Sequence, residues 1–491
     1  MTSVHSAGFP QFAREFTLAP FRVLELSENV ILLAEHNSGW CALSKDDYDC
    51  LLTHFSTTSF TNERITSMEV STLEALWSAG LLLADGRSKH EDDRGISQYP
   101  SSLLLKLTGT CNYACTYCYD YDPTRFGAQL ALDRIKETID FLLSKRENLN
   151  IWFHGGEPLL RFKLLRDIVE FACQTAGNRN RLTFSVQTNG SRFNDDVIAF
   201  LREHRFTVGI SLDGVTEESN RLRVVRGKEP SPLTRVLELV KTHRRFVVDQ
   251  CSFLAVASKA SAPGIPNFVL WLQDVGVKAF SLTLLDPAGA GKDLTGEVLS
   301  PPEVVGVFRD LVSMVQNSQI RSINMTCLTN RIGNLFTLVP KNFCNKGPCG
   351  ASSEFLVLDA EGVFRTCDVI YHDFFRIGER HESVEKCVAR RKPRIRIVQR
   401  HDWLRENGSS CAKCPLFGVC GATCPASAIS KNGDPLSVNG AECEVSRYLY
   451  PLLFAEFVGD GPRPLFEYYD AHRRERPLPI EDAQYADRKQ A

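Results

Sequence analysis

Clustered cysteines are the feature of this sequence that most limits what the chain can be. The 491-residue chain contains 17 cysteines. Three stand close together at Cys111, Cys115 and Cys118, and nine lie from Cys344 to Cys443, of which Cys387 is interpreted as an ordinary buried side chain. Residues Met1–Phe16 lack the basic start and apolar core of a signal peptide, so we expect a cytoplasmic protein. In that reducing compartment, clustered thiols bind metal or do chemistry more often than they form disulfides.

Charge and hydropathy exclude two classes of function. Lys and Arg number 57 and Asp and Glu 59, for a formal net charge of −2, which lacks the basic excess of a general nucleic-acid binder. The longest apolar runs, such as Val30–Ala34, are strand-sized and far short of the ~20 residues that span a membrane. We therefore expect no nucleic-acid partner and no membrane segment.

From Ser102 onward, apolar strand-like segments alternate with helix-like segments. Strands are predicted at Leu103–Leu107, Ile151–His154, Leu182–Gln187, Thr207–Leu212, Gln250–Ala257 and Ala279–Leu285. Helices are predicted at Ala131–Ser144, Leu164–Thr175, Asp195–Glu203, Leu233–His243, Pro266–Val275 and Pro302–Val315. Six strand–helix units indicate an α/β fold with a parallel sheet, helices outside it, and a site at the carboxyl ends of the strands. After about Asn317 the alternation is expected to stop.

The flanking segments have other patterns. Residues 20–85 indicate a small α+β unit, with predicted strands and helices at Phe21–Leu26, Asn29–Glu35, Trp40–Leu43, Lys45–His54 and Ser71–Ser78. A polar linker is predicted over Asp85–Ser97. The Cys-, Gly- and Pro-rich stretch after Asn317 is typical of a small domain held by metal. Helical character resumes from Val445, and Arg474–Ala491 is expected to be a frayed polar tail.

The three N-terminal cysteines directly follow the first strand of the alternating region. Three thiolates on one short loop do not complete a structural zinc site, which takes four protein ligands. They can bind three irons of a [4Fe–4S] cluster and leave the fourth iron open. The alternative is a zinc loop with a distant fourth ligand.

The CxxxCxxC spacing, with an aromatic residue next and a strand before it, resembles the radical S-adenosylmethionine (radical SAM) superfamily. Three further motifs follow in order at later strand ends: Gly155-Gly156-Glu157-Pro158, Gln187-Thr188-Asn189-Gly190 and Ser211-Leu212-Asp213-Gly214. An arginine, Arg223, lies nine residues past that last glycine, as in the family. The family's intervening aspartate is replaced here by Asn220.

The resemblance implies that the open iron binds the methionine part of SAM and that an electron from the cluster cleaves SAM to a hydrogen-abstracting 5′-deoxyadenosyl radical. It also implies a set of SAM-binding residues. Gly155, Gly156 and Glu157 would receive the SAM ammonium, Ser211 the ribose hydroxyls, and Arg223 the SAM carboxylate. Gln187 would face the same mouth, and Tyr119 would lie against the adenine.

The C-terminal cysteines resemble the SPASM signature of auxiliary-cluster domains, with one additional thiol at Cys344. Eight ligands suffice for two fully ligated [4Fe–4S] clusters, so the resemblance implies three clusters in all. The first auxiliary cluster would be held by Cys344, Cys349, Cys367 and Cys424. The second would be held by Cys411, Cys414, Cys420 and Cys443. Two zinc sites are the alternative.

Two further features resemble particular maturases. The pair Cys367-Asp368 matches the Cys-Asp of anaerobic sulfatase-maturing enzymes, which implies that Asp368 is a catalytic base; a cap or solvated acid is the alternative. The unit at residues 20–85 resembles the winged-helix-like peptide-recognition unit of radical SAM peptide maturases, which adds a leader peptide as a strand. A domain that merely covers the barrel is the other interpretation. Since every cluster ligand lies beyond Asp85, we expect a chain without this unit to retain its clusters.

Together the motifs predict a partial (β/α)6 radical SAM barrel with an N-terminal winged-helix-like α+β domain and a C-terminal iron–sulfur SPASM domain. The predicted domains are residues 1–95, 96–320 and 321–445, with C-terminal helices and a tail over 446–491. The implied function is modification of a ribosomally made precursor peptide or small protein, by cross-linking or oxidation. A low-potential flavodoxin- or ferredoxin-type protein would donate electrons. The alternatives are a sulfatase maturase, a SPASM enzyme acting on a small molecule, and a non-enzymatic zinc scaffold.

Overall fold

The computed structural model describes Ala13 and residues 15–54, 70–89, 99–337, 344, 346–408 and 410–473. The strands are β1 (Phe16–Leu18), β2 (Phe21–Glu25), β3 (Asn29–Ala34), β4 (Trp40–Ser44), β5 (Leu82–Ala84), β6 (Ser102–Lys106), β7 (Leu149–His154), β8 (Leu182–Thr188), β9 (Thr207–Ser211), β10 (Cys251–Ala257), β11 (Ala279–Leu284), β12 (Asn324–Met325), β13 (Phe355–Leu358), β14 (Phe364–Arg365) and β15 (Arg376–Gly378). The helices are α1 (Lys45–His54), α2 (Val70–Ser78), α3 (Leu132–Lys145), α4 (Phe162–Ala176), α5 (Asp195–Glu203), α6 (Pro232–Gln250), α7 (Ile265–Val275), α8 (Pro301–Gln316), α9 (Thr326–Gly333), α10 (Val384–Ala389), α11 (Lys392–Asn407), α12 (Phe417–Cys420), α13 (Pro425–Asn432), α14 (Gly440–Val458) and α15 (Pro464–His472).

The N-terminal unit (residues 15–89) contains two small antiparallel sheets around a core of its own. One sheet has the order β2-β3-β4, and the other pairs β1 with β5. Its buried side chains include Phe16, Leu32, Leu51, Leu73 and Leu76. The three predicted strands and two predicted helices are thus confirmed, and β1 was missed because three residues are too short to show a pattern. The predicted linker is described only as far as residue 89, and the predicted tail Arg474–Ala491 lies outside the described residues.

The central sheet has ten strands in the order β12-β11-β10-β9-β8-β7-β6-β13-β14-β15. Strands β6 to β12 pair in parallel. Helices α3 to α8 follow them and pack their apolar faces on the strands. Inward-facing rings stack within this core, and the ring centroids of Phe184 and Phe206 are 5.3 Å apart. The sheet is open, with β12 at one end and β15 at the other.

The six predicted strand–helix units are confirmed, with bounds that agree to within a few residues except in α6. That helix continues from the predicted end at His243 to Gln250, across non-helical backbone angles at His243 itself. The barrel also extends past its predicted end at residue 320, because β12 pairs in parallel with β11. A two-residue strand is too short for a sequence pattern to reveal.

The C-terminal part (residues 344–473) is attached to the barrel through the sheet. Strand β13 pairs in parallel with β6, with Leu356 opposite Leu103, and β14 and β15 continue the sheet in antiparallel pairing. Helix α14 packs against α8 of the barrel. Within the described ranges, no helix is long and apolar enough to cross a membrane.

Candidate functional site

The loop after β6 carries the first three cysteines, which we call the triad (Cys111, Cys115 and Cys118). Two backbone hydrogen bonds tie this loop to the segment that carries Arg223: Ala114 N–H donates to the Val224 carbonyl at 2.7 Å and Thr116 N–H to the Leu222 carbonyl at 2.9 Å. The three thiols lie within electrostatic range of one another, and burial raises the pKa of Cys111 and of Cys115 to about 12. Three half-buried thiols on one loop are a donor set that suits an iron–sulfur cluster.

Among the residues that the structure describes, no three His, Cys, Asp or Glu side chains converge on one ion position. Structural zinc takes four protein ligands, and the triad loop itself supplies three thiols.

Gly155 and Gly156 follow β7 in left-handed backbone conformations, with φ of +81° and +49°. A Cβ atom on Gly155 would lie 2.6 Å from the Cβ of Lys106, and one on Gly156 would collide with the Thr110 carbonyl. Both glycines are therefore required for the β7 turn to lie against the triad loop. Their predicted contact with a SAM ammonium stays a prediction.

Glu157 is completely buried and its two oxygens are engaged by the protein. They accept hydrogen bonds from Leu159 N–H (3.0 Å), Thr188 Oγ1 (2.8 Å) and Asn189 N–H (2.7 Å). Burial raises the pKa of Glu157 to about 7. The carboxylate joins the ends of β7 and β8, so it positions the loops around the triad.

Arg223 forms a buried ion pair that the sequence analysis did not anticipate. Its Nε and Nη2 donate to the two oxygens of Asp213 at 2.9 and 3.0 Å, and only 6% of Arg223 is exposed. Asp213 also accepts from Tyr117 Oη at 2.5 Å and from Val256 N–H at 2.9 Å. Because Asp213 accepts from Nε and Nη2, only the remaining N–H groups of Arg223 are available for the predicted contact with a ligand carboxylate.

Asn220, which replaces the acidic residue of the family pattern, has a local role. Its side-chain oxygen accepts from Asp213 N–H at 3.0 Å, and its Nδ2 donates to the carbonyls of Gly214 and Thr216. The amide thus fixes the loop after β9. A carboxylate at this position could not donate to those two carbonyls.

Gln187 and Ser211 lie next to each other at the ends of β8 and β9. Gln187 Nε2 donates to Ser211 Oγ at 2.8 Å. The structure therefore brings these two predicted contact residues together on the side of the sheet where the triad loop begins.

Tyr119 connects the triad loop to Asp368. Its hydroxyl lies 3.4 Å from Asp368 Oδ2 and 3.4 Å from His154 Nε2. His154 Nδ1 accepts from the Gly155 N–H at 2.8 Å, so the Nε2 of a neutral ring carries the proton. The structure thus places the hydroxyl of the predicted adenine neighbour beside the predicted base.

Sequence reasoning missed a buried polar cluster beside these residues. Lys106 of β6 is 1% exposed, and its Nζ donates to Asp120, to the Asp368 carbonyl at 2.6 Å and to Tyr371 Oη at 3.3 Å. The Asp120 carboxylate interacts electrostatically with the Lys106 ammonium and accepts a hydrogen bond from Gly156 N–H at 3.2 Å. The available signal was a single lysine, Lys106, within the otherwise apolar run Leu103–Leu107.

Eight of the nine C-terminal cysteines, all but Cys387, fall into two groups of four in space. Burial and the charges of Glu442, Cys349, Cys367 and Cys344 raise the pKa of Cys424. We call the four thiols of this group the first quartet, which consists of Cys344, Cys349, Cys367 and Cys424. They are the predicted ligands of the first auxiliary cluster.

The second quartet is separate from the first. Burial and the charges of Cys420, Cys414 and Cys443 raise the pKa of Cys411 to about 11. The second quartet consists of the thiols of Cys411, Cys414, Cys420 and Cys443. They are the predicted ligands of the second auxiliary cluster.

Arg400 lies between the quartets and was not singled out from sequence. It is 4% exposed and within electrostatic range of Cys424, Cys349 and Cys411. It donates to the carbonyls of Ser437 at 2.7 Å and of Pro435. A buried guanidinium here would offset the negative charge of clusters bound at either quartet.

A cavity of about 410 Å³ opens beside the second quartet. It is lined by Leu24, Ser410, Lys413, Cys414, Pro415, Leu416, Arg447 and Pro451. Leu24 belongs to β2, so the N-terminal unit forms one wall. The prediction that a chain without this unit retains its clusters rests on the positions of the ligands alone, and it stays a prediction.

The chain matches the family model described as the Radical SAM superfamily over residues 105–256. An uncharacterized protein of Methanocaldococcus jannaschii, MJ0907, is 32% identical over 187 residues, which is 38% of this chain and 63% of that protein, less than two thirds of its length.

Other relatives match over more of their length. A cysteine-type anaerobic sulfatase-maturating enzyme of Clostridium novyi is 25% identical over 352 residues, covering 69% of this chain and 90% of that protein. The antilisterial bacteriocin subtilosin biosynthesis protein AlbA of Bacillus subtilis is 23% identical over 343 residues, covering 67% and 68%.

Among solved structures, Streptococcus suis SuiB bound to the precursor peptide SuiA has a TM-score of 0.53 at 13% identity. The alignment covers 87% of this chain and 99% of SuiB. At that identity the likeness establishes a shared fold.

Proposed function

We propose that this chain is a radical SAM enzyme, related to sulfatase maturases and to peptide-modifying enzymes, that modifies a residue of a ribosomally made peptide or small protein. The observation that carries this proposal is the position of Asp368. Its carboxylate lies 3.4 Å from the Tyr119 hydroxyl of the triad loop and is adjacent in sequence to Cys367 of the first quartet. A proton acceptor thus lies between the two sites that we assign to clusters.

When bound, the open-iron cluster and SAM supply a 5′-deoxyadenosyl radical that removes a hydrogen atom from an unactivated carbon. We assign the triad to that cluster and the two quartets to auxiliary clusters, for three [4Fe–4S] clusters in all. The substrate radical would then have to lose one electron and one proton, whether or not a new bond forms first. Asp368 would take that proton, and clusters held by the two quartets would provide the electron acceptor.

The residues around Asp368 hold it in place. Lys106 Nζ donates to the backbone carbonyl of Asp368 at 2.6 Å, and the Tyr119 hydroxyl lies 3.4 Å from the Asp368 carboxylate. His154 supports Tyr119 from the other side. Because these groups come from β6, the triad loop and β7, the geometry of the proposed base depends on the barrel and not only on the C-terminal part.

We assign recognition of the precursor's leader to the N-terminal unit. Its sheet has the order β2-β3-β4, so β2 and β4 are edge strands that can pair with an added strand. The AlbA relative and the SuiB–SuiA structure support a peptide substrate. A flavodoxin- or ferredoxin-type electron donor completes the proposed reaction.

A second candidate is formylglycine formation in a sulfatase. The match to the Clostridium novyi sulfatase-maturating enzyme over 352 residues favours it, as does the Cys367-Asp368 pair. On that assignment the substrate would be a Cys or Ser within a sulfatase and would need no separate leader.

The test is anaerobic turnover of two substrates, followed by mass spectrometry. One is the peptide encoded by a short open reading frame next to the gene, and the other is a sulfatase-derived peptide. Modification of the first alone supports precursor maturation. Conversion of a cysteine to formylglycine in the second substrate alone, seen as loss of one sulfur and two hydrogens with gain of one oxygen, would establish the alternative.

Asp368→Asn tests the role of the base within the same assay. We expect peptide modification to fall by about 10²-fold or more, while SAM cleavage to 5′-deoxyadenosine continues. Asp373→Asn is the matched control, because the Asp373 side chain lies in the same segment and is 87% exposed. Equal peptide turnover by Asp368→Asn and Asp373→Asn would remove Asp368 from the mechanism.

A further inference from the structure

Arg22 of β2 reaches across from the N-terminal unit to the backbone that carries the second quartet. Its Nη1 donates to the carbonyls of Cys411 and Cys414, the latter at 2.8 Å, and its Nη2 to the Arg405 carbonyl at 3.2 Å. Its Nε pairs with Glu35 at 3.2 Å, and the Arg22 side chain is 10% exposed. One guanidinium therefore holds two residues of the quartet.

A second contact lies at α12, the short helix that ends at Cys420. A Cβ atom on Gly418 would collide with the Ala34 carbonyl and lie 2.6 Å from the Asn37 carbonyl. Ser38 Oγ donates to the Gly418 carbonyl at 3.2 Å. The turn between β3 and β4 is thus pressed against the helix that presents another thiol of the quartet.

A third contact anchors the same unit on α14, the helix that carries Cys443 in its first turn. Trp40 is 1% exposed, and its Nε1 donates to the Leu335 carbonyl at 2.7 Å. Its ring meets Phe454 and Phe457 edge-on, with centroid distances of 5.0 and 4.6 Å. All four thiols of the second quartet therefore lie on segments that the N-terminal unit touches.

We propose that the N-terminal unit is a structural part of the second auxiliary cluster site, with Arg22 as a positioning residue. Arg22 fixes the carbonyls of Cys411 and Cys414 and so fixes the direction of their side chains. Its positive charge also favours the more negative, reduced state of a cluster bound there. The inference rests on the proposed assignment of the second quartet to a cluster.

The test replaces Arg22 in the full-length chain and counts iron after anaerobic reconstitution. Three four-iron clusters give about twelve iron per wild-type chain. We expect Arg22→Met to retain about eight, or to retain all of it with one cluster at a lower reduction potential. Arg22→Lys keeps the charge without the planar fork and should be intermediate. SAM cleavage should continue in both variants, because the triad lies in the barrel.

Arg181→Met is the matched control. Arg181 also donates to several carbonyls, those of Glu147, Ala176, Leu143 and Arg146, but in the barrel. A loss of stability without a loss of iron is expected for it. Gly418→Ala gives an independent variant that separates the interface without removing the guanidinium, and it should lose the same cluster signal.

The outcomes separate the inference from the assignment beneath it. Full iron and unchanged potentials in both Arg22→Met and Gly418→Ala, with a wild-type count near twelve, would overturn the inference alone. If the Cys411→Ala, Cys414→Ala double variant binds as much iron per chain as the wild type, the assignment of a cluster to the second quartet is refuted. Loss of iron in Arg181→Met equal to that in Arg22→Met would show a general effect of folding and also overturn the inference.

Discussion

The triad and the second quartet have equally plain cysteine spacings, yet they are built in different ways. The triad lies on the loop after β6, and its supporting contacts come from within the barrel. They are the turn at Gly155 and Gly156, the carboxylate of Glu157, and the segment around Arg223. The second quartet consists of thiols from Cys411 to Cys443, and its backbone contacts the N-terminal unit, which lies nearly four hundred residues earlier in the chain. A ligand motif therefore reveals which residues bind without revealing what keeps them in place.

The largest effect should come from removing the triad. Cys111→Ala, Cys115→Ala and Cys118→Ala together should abolish SAM cleavage and lower iron from about twelve to about eight per chain. The quartets should keep their iron, since none of their eight thiols lies on the triad loop. Iron analysis and deoxyadenosine production measure both results, and an undiminished iron count would contradict the triad assignment.

Trp40→Ala tests the other side of the comparison. Truncating this buried ring should lower the free energy of unfolding by about 3–5 kcal/mol and reduce the iron bound at the second quartet, while SAM cleavage persists. Trp403→Ala is the control, because Trp403 is 40% exposed. Chemical unfolding and iron analysis of the two variants provide the measurement, and indistinguishable behaviour would show that the anchor is dispensable.

Glu157 gives the triad region a pH dependence. Burial raises its pKa from 4.5 to about 7 in the folded chain, so between these values the folded state binds a proton that the unfolded chain releases. The stability that this group contributes is therefore present below about pH 4.5 and falls as pH rises toward 7, by roughly 3 kcal/mol over the whole window.

Glu157→Gln should remove that slope, and Glu170→Gln, on the exposed side of α4, should keep it. Denaturant unfolding at about pH 5 and about pH 7.5 measures the difference. A wild-type slope that survives in Glu157→Gln would assign the pH dependence to another group.

The smallest effect is expected at the surface beside the second quartet. Glu444 and Arg447 are 2.9 Å apart, and both side chains are more than 40% exposed. Glu444→Gln should change the free energy of unfolding by less than about 1 kcal/mol. A larger loss in thermal unfolding would mean that surface charge, rather than the contacts of Arg22 and Trp40, stabilises this region.

The sequence predicted the barrel well because each strand is an apolar run and each helix has a regular apolar face. It predicted the grouping of the cysteines through a family pattern. It could not show that Asp213 engages Arg223, because that pairing depends on how the loop after β9 folds back. Lys106 and Asp120 escaped notice for a similar reason: each is ordinary alone, and their meeting at 14 residues' separation is a property of the folded loop.

The parallel pairing of β13 with β6 bears on how such enzymes exchange parts. A recombination point between barrel and C-terminal part, at residue 320 or nearby, would cut through one continuous sheet and leave both new edges without their partners. Chimeras that swap substrate preference between relatives should therefore keep the segments of β6 and β13 from the same parent. The segments that remain exchangeable are the loops at the strand ends, where chemistry can diversify while the sheet is inherited whole.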